Sequence, residues 1–265
     1  MSVDTEMIAR PSVRFARGTA AGWGVLAATG AVAWLVTVDR ARSMGSGPGT
    51  MGMAFPLFVG MWVAMTGAMM LPAIGPQASD ELAPRGGRRV WAERMTGSLA
   101  FGAGFLAPWA VYGLLAFAAL LGTGRLADAS PSAAKWLGVG IFAVAGVYQF
   151  TPAKRWALDH CRMAMSPHGG GNLPSAFLGG ARDGAICVGC CWALMTILFA
   201  LGVMNLAAMA GLAAVIFAEK ILPRPNLVAG LAGIAFLGLA AVAAFHPSVL
   251  SGLHVTDMGV HMAGL

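Results

Sequence analysis

Between Asp183 and Glu219 the chain runs for 35 residues without a single Asp, Glu, Lys or Arg. As a helix, about 20 residues span the roughly 30 Å hydrocarbon core of a bilayer. The block is therefore too long for one crossing, and Gly202–Asn205 is where it divides into two. Shorter apolar runs recur along the rest of the chain. Hydrophobic residues make up 58% of it and charged residues 11%, against roughly 25% charged in soluble domains. Mean hydropathy is +0.73. Strands of a membrane barrel would be shorter and alternating, which is not the pattern. The sequence predicts an all-α, polytopic membrane protein. About seven transmembrane helices are expected, near 20–38, 54–72, 98–121, 135–151, 184–202, 206–222 and 226–245.

The basic residues orient these spans through the bias of Lys and Arg toward cytoplasmic loops. With the N-terminus inside, 13 of the 17 Lys and Arg residues fall on the cytoplasmic side. Only Arg40, Arg42, Arg125 and Lys135 fall outside. This puts the C-terminus outside and gives three regions: a cytoplasmic segment 1–19, one helical transmembrane domain 20–245, and an external tail 246–265. The location expected is the bacterial inner membrane, crossed several times. The first span exceeds the 7–15 apolar residues of a signal peptide and reads as a retained anchor. The net charge of +6 is then a topology signal, and no nucleic-acid partner is needed to explain it. The polar stretch 152–183 holds Pro152, Pro167, Pro174 and three consecutive glycines at 169–171. It reads as a cytoplasmic loop. Small residues four apart, such as Ala100/Gly104 and Ala207/Gly211, suit close helix packing.

Chemistry concentrates in GAICVGCCWALM, residues 184–195. At about 100° per residue, Cys187, Cys190 and Cys191 fall within one 100° arc, and Met195 extends the stripe. Thiolates and thioethers are soft donors suited to Cu(I), and thiolates also to zinc. Cys161 lies in the adjoining cytoplasmic stretch. All four cysteines are thus expected on the reducing side, where metal or catalytic use is favoured over disulfides. Free cysteine also packs as a small hydrophobe, so core packing is the competing reading.

Methionine repeats at Met61, Met65 and Met69, with Met70 beside them and Met44, Met51 and Met53 near the outer mouth. Methionine fills core gaps well, but it is also a copper ligand. In the tail, His246, His254 and His261 accompany Asp257, Met258 and Met262. His254 and His261 are the candidate ligands there, without a regular ligand spacing.

Three stretches carry a resemblance: MWVAMTGAMMLPAIGP (61–76), YQFTPAKRWALDHCR (148–162) and CVGCCWALM through GVMNLAAMA to EK (187–220). Together they resemble a bacterial family of predicted metal-binding integral membrane proteins, with a conserved domain of unknown function. Some of its members are labelled copper chaperones. The resemblance covers roughly 54–222 and takes in Tyr148, Gln149, Lys154, Arg162, Asn205, Glu219 and Lys220 as well as the cysteines. The family pattern has a cysteine four residues before the one matching Cys161. Here that position is Ala157, which removes a partner for Cys161.

Glu219 and Lys220 end the sixth span on the cysteine side. Adjacent helical residues do not face each other. Each can therefore serve as an interface anchor, or Glu219 can approach the cysteines. Tyr148 reads as an interfacial aromatic and Asn205 as a cap or turn residue. No span carries an ionisable residue near its midpoint, which counts against a proton-coupled carrier. There is no nucleotide loop, triad or dinucleotide fingerprint.

The functional expectation is a membrane protein that handles Cu(I) in delivery, uptake or copper-enzyme assembly, with zinc as the alternative metal. Two other readings remain: an accessory subunit of a larger membrane complex, and a thiol-redox protein using the CxxC of Cys187 and Cys190. The partners expected are the lipid bilayer and either a copper enzyme or a membrane complex, with a homo-oligomer left open.

Overall fold

The computed structural model describes residues 54–78, 88–163 and 173–253, and six positions between 31 and 39. Within these, the side chains of 71–78, 88–95, Ser98 and Met163 lie outside the description. So do the segment 1–19, most of the span 20–38, the outer Met44, Met51 and Met53, and the tail residues His254, Asp257, Met258, His261 and Met262.

Among the described residues there are helices and no strands. They are α1 (Phe55–Ala78), α2 (Arg88–Ala129), α3 (Pro131–Tyr148), α4 (Pro152–Met163), α5 (Leu173–Leu201), α6 (Leu206–Ile221) and α7 (Pro225–Phe245), followed by a short 3-10 turn at Pro247–Val249. Local sequence explains their starts. Ser130 caps α3 through its side chain, with Pro131 in the first position, where a missing N–H costs nothing. Thr151 and Pro152 open α4 in the same way, the Thr151 hydroxyl accepting from Lys154 N–H at 3.2 Å. Asn205 caps α6 by accepting from Ala208 N–H at 3.1 Å. The division of the long apolar block falls where glycine permits it, since Gly202 has φ +93°, a left-handed conformation that a side chain disfavours.

Three helical stretches are long and apolar enough to cross a membrane: Leu99–Ala129, Leu173–Leu201 and Pro225–Phe245. A fourth forms only if α3 and α4, bent by 66° about a short break, are taken as one broken span. The apolar stretch Phe55–Met70 is shorter. At about 1.5 Å per residue, the 16 residues of α6 fall short of a full crossing. Six of the seven expected spans fall on described helices, which are of unequal reach, and the first, 20–38, lies mostly outside the described residues. The stretch 152–183 differs from its sequence reading as a loop. It contains all of α4 and the first two to three turns of α5, because Pro152 and Pro174 both sit at helix starts, where proline is tolerated.

The central element is α5. In its most apolar window 61% is buried, against 33% in those of α2 and α7. Among its buried positions Gly180, Asp183, Gly184, Cys187, Cys190, Cys191, Leu194 and Leu198 follow a three-four spacing along one face, and from Ala193 to Ala200 burial extends around the helix. Against α2 the contact is backbone to backbone. A Cβ at Gly180 would overlap the Phe101 carbonyl, one at Gly184 the Phe105 carbonyl, and one at Gly104 the Phe177 carbonyl. Ala100/Gly104 therefore lies at a close-packed interface, whereas Gly211 of the Ala207/Gly211 pair has nothing within 4 Å. The start of the tail is packed rather than free: Gly252 N–H donates to Ala200 O at 3.0 Å, and Ser251 Oγ donates to Leu201 O at 2.6 Å. These bonds satisfy carbonyls at the open end of α5, and Leu250 and Leu253 are buried beside them.

Candidate metal centre

The bend after α3 begins the site. Phe150 and Thr151 close a tight turn onto Val147 and Tyr148, and α4 then continues along α5 from the level of Cys190 toward that of Cys187. This brings Cys161 of α4 against the cysteines of α5. The Sγ atoms of Cys161, Cys187 and Cys190 all lie within 4.8 Å of one another, and all three residues are buried. Cys191 adds a fourth sulfur, with its Sγ 3.2 Å from that of Cys190. The Cys190 thiol also points to Cys187 O at 3.2 Å.

The trio therefore joins two helices. The helical arc grouped Cys187, Cys190 and Cys191. The bundle brings Cys161 of α4 into a group with Cys187 and Cys190, a relation that no spacing on one helix encodes. Ala157, where a fourth cysteine is absent, is buried and faces Gly189. Cys161 finds its partners on α5 instead.

Around the sulfurs lies a buried polar network. Lys154 Nζ is 2.7 Å from Glu219 Oε2 and donates to Cys190 O, also at 2.7 Å. Gln149 Nε2 donates to the other carboxylate oxygen of Glu219 at 3.1 Å. Arg162 Nη1 lies 2.7–2.9 Å from the carbonyl oxygens of Glu219, Lys220 and Leu222, closing the end of α6, whose last carbonyls lack partners within the helix. Tyr148 OH donates to Gly189 O at 2.6 Å, and its ring meets Trp192 with centroids 5.0 Å apart. Tyr148 thus braces the cysteine helix, in addition to any interfacial role.

Glu219 and Lys220 are both buried and do not pair with each other, as their adjacency predicts. The correction concerns which of them reaches the cysteines. Glu219 is taken up by Lys154 and Gln149, while Lys220 Nζ contacts Cys187 Sγ at 3.1 Å. The same ammonium lies 4.0 Å from Met70 Sδ. Lys154 and Lys220 were the residues that sequence reasoning left out of the site. The available signal was lysine beside an otherwise uncharged block, since a buried ammonium requires a partner.

The methionines divide. Met61, Met65 and Met69 are buried along α1 in the common core, and Met70 is the one in contact with the charged side of the cluster. Met195 is fully buried one turn beyond Cys191, about 6 Å further along the axis. His254 and His261 lie outside the described residues.

The donors fit a soft metal ion. At about 2.3 Å from each sulfur, three ligands in a plane would stand roughly 4 Å apart, within the span of the trio. A family model described as PpoB2, copper chaperone, matches residues 59–243, well over half of the chain. The chain belongs to the PpoB2 copper-chaperone family. The matched region contains every residue of the sulfur cluster and of its polar surround. No curated protein and no solved structure is significantly similar to the chain.

Proposed function

We propose that this protein is an integral membrane protein that binds Cu(I) at Cys161, Cys187 and Cys190 and passes it to an acceptor, with Cys191 as an exchange ligand. The observation that carries the reading is the convergence of three buried Sγ atoms from two helices within 4.8 Å. The family description and the preference of thiolates for Cu(I) support copper as the cargo. A trio of thiols closing in from separate helices is a costly way to fill a core, because Leu or Val would pack there without demanding a register.

The membrane reading rests on the three long apolar stretches and on outward-facing Val111, Leu115, Trp136, Val144, Leu231 and Ile234. An exposed apolar surface of that kind needs a cover, and a bilayer supplies it. With the N-terminus inside and the C-terminus outside, as the distribution of basic residues suggests, the cluster opens toward the cytoplasmic face of a bacterial inner membrane. There the thiols stay reduced. The acceptor is then a copper enzyme or a larger membrane assembly.

The test is anaerobic purification in detergent, loading with Cu(I), and metal analysis by mass spectrometry. The wild type should retain near-stoichiometric copper, and the Cys161→Ser/Cys187→Ser/Cys190→Ser variant should lose it while keeping its helical circular dichroism. Equal copper in both would overturn the reading. Retained zinc in place of copper would revise the metal.

A further inference from the structure

We infer that Lys220 is a specificity-determining residue that makes the sulfur cluster selective for soft monovalent cations over divalent ones. The inference rests on the proposed metal-binding role and concerns the charge of the ion that the site accepts.

The geometry places a fixed positive charge in the ligand shell. Lys220 is 5% exposed, and its Nζ contacts Cys187 Sγ at 3.1 Å, with the Met70 thioether on its other side at 4.0 Å. Among the described residues no carboxylate lies within ion-pair distance of Lys220. The charges on the neighbouring elements are already committed. From α4, Lys154 is paired with Glu219 of α6, and Arg162 holds the backbone carbonyls at the end of α6. From α5, Asp183, one turn before Cys187, has an interaction of its own. Lys220 therefore faces the sulfurs with no carboxylate partner among the described residues.

A fixed positive charge acts on any metal–thiolate complex in proportion to the charge of that complex. For a given set of thiolates, a monovalent ion leaves the complex one unit more negative than a divalent ion does. With the three thiolates of Cys161, Cys187 and Cys190, a monovalent ion makes a dianion and a divalent ion a monoanion, so the ammonium attracts the first by one further unit of charge. A unit charge a few ångströms away in a protein of effective dielectric near 20 then separates the two ions by on the order of a hundredfold or more in affinity. Met70, the uncharged thioether beside Lys220, favours the same class of ion, because thioethers select soft Cu(I).

The probe pair is Ag(I) and Cd(II), soft ions of the same d-electron count that differ by one charge. Each would be competed between the detergent-purified protein and a free dithiol, which supplies thiolates without a fixed charge. Relative to the dithiol, the wild type should favour Ag(I) over Cd(II) by on the order of a hundredfold. Lys220→Leu, which removes the charge without adding a donor, should erase most of that preference, and Lys220→Arg, which keeps the charge, should restore it to within a few-fold. Removing an ammonium that has no carboxylate partner among the described residues strands no opposite charge, and a thermal melt would verify that the variant folds. Were Lys220→Leu not to fold, Lys220→Gln would take its place. No preference over the dithiol, or an uncharged variant that folds and keeps the full preference, overturns the inference. Failure of the wild type to bind either ion instead sinks the metal-binding role.

Discussion

One helix serves two interfaces built on opposite principles. Toward α2, α5 offers Gly180 and Gly184, and the two backbones approach until no Cβ fits between them. Toward α4 and α6, the same helix offers Cys187 and Cys190, surrounded by Lys154, Glu219, Gln149 and Lys220, all of them buried. The first contact gains from dispersion and close approach, which is how helices associate in an apolar solvent. The second takes charges out of water, a cost offset by the Lys154–Glu219 pair and its hydrogen bonds, while Lys220 rests against sulfur. The comparison teaches where stability and chemistry are kept apart. The glycine side sets the position of α5, so the polar side can be spent on holding sulfurs and a cation together.

The largest effect expected from breaking this comparison lies on the polar side. Glu219→Leu leaves the Lys154 ammonium buried and unpaired, and should cost about 3–5 kcal/mol in thermal or denaturant unfolding of the detergent-solubilised protein. Adding Lys154→Met should return most of that loss, because no charge of the pair is then stranded. If the double variant remains as unstable as the single one, the pair is not the origin of the effect.

Next in size is the ligand contrast within the cluster. Cys161→Ser should weaken Cu(I) binding by at least about a hundredfold, since even groups behind the ligands are worth 10–100-fold. Cys191→Ser should weaken it by less than about tenfold, a loss of at most ~1.4 kcal/mol, because Cys191 is the exchange ligand beside the trio of Cys161, Cys187 and Cys190. Competition with a chromophoric Cu(I) chelator measures both, and the reverse order would return the site to the single-helix grouping.

On the glycine side, Gly184→Ala should cost about 1–3 kcal/mol, because its Cβ meets the Phe105 carbonyl, which cannot rotate away. Gly211→Ala should be neutral or slightly stabilising, as nothing lies within 4 Å of its Cβ and alanine is the better helix former. The smallest effect on the metal site is at the far end of the cysteine helix. Asn205→Ala removes the cap of α6 and should cost about 1 kcal/mol, with Cu(I) affinity unchanged. A change in metal affinity there would mean that the two ends of the bundle are coupled.

Much of the local structure is readable from residues alone. The helical class follows from apolar runs that alternate with nothing. The break at Gly202–Asn205 follows from a glycine and a capping asparagine, and the stripe of three cysteines from a count of 100° per residue. Thr151-Pro152 is an equally local signal for α4, as cap and first-turn proline. It was masked by the other prolines and the glycine run of the same stretch. What could not be read was which faces meet. Cys161 entered the trio through the 66° bend between α3 and α4. Lys220, rather than Glu219, reached the thiols because of how α6 is rotated in the bundle.

The amino-acid sequence by itself determined a helical chain rich in apolar surface, with soft donors gathered on one helix and cations placed at the ends of apolar runs. Those properties depend on composition and on the helical period, both of which are local. Only the tertiary structure decided that a cysteine from α4 completes the cluster, that Glu219 is held by Lys154, and that Lys220 stands against Cys187. Each of these is a contact between residues 26 or more apart in the chain. Such contacts are selected by the packing of whole helices, where a rotation of 100°, one residue's worth, exchanges one side chain for its neighbour.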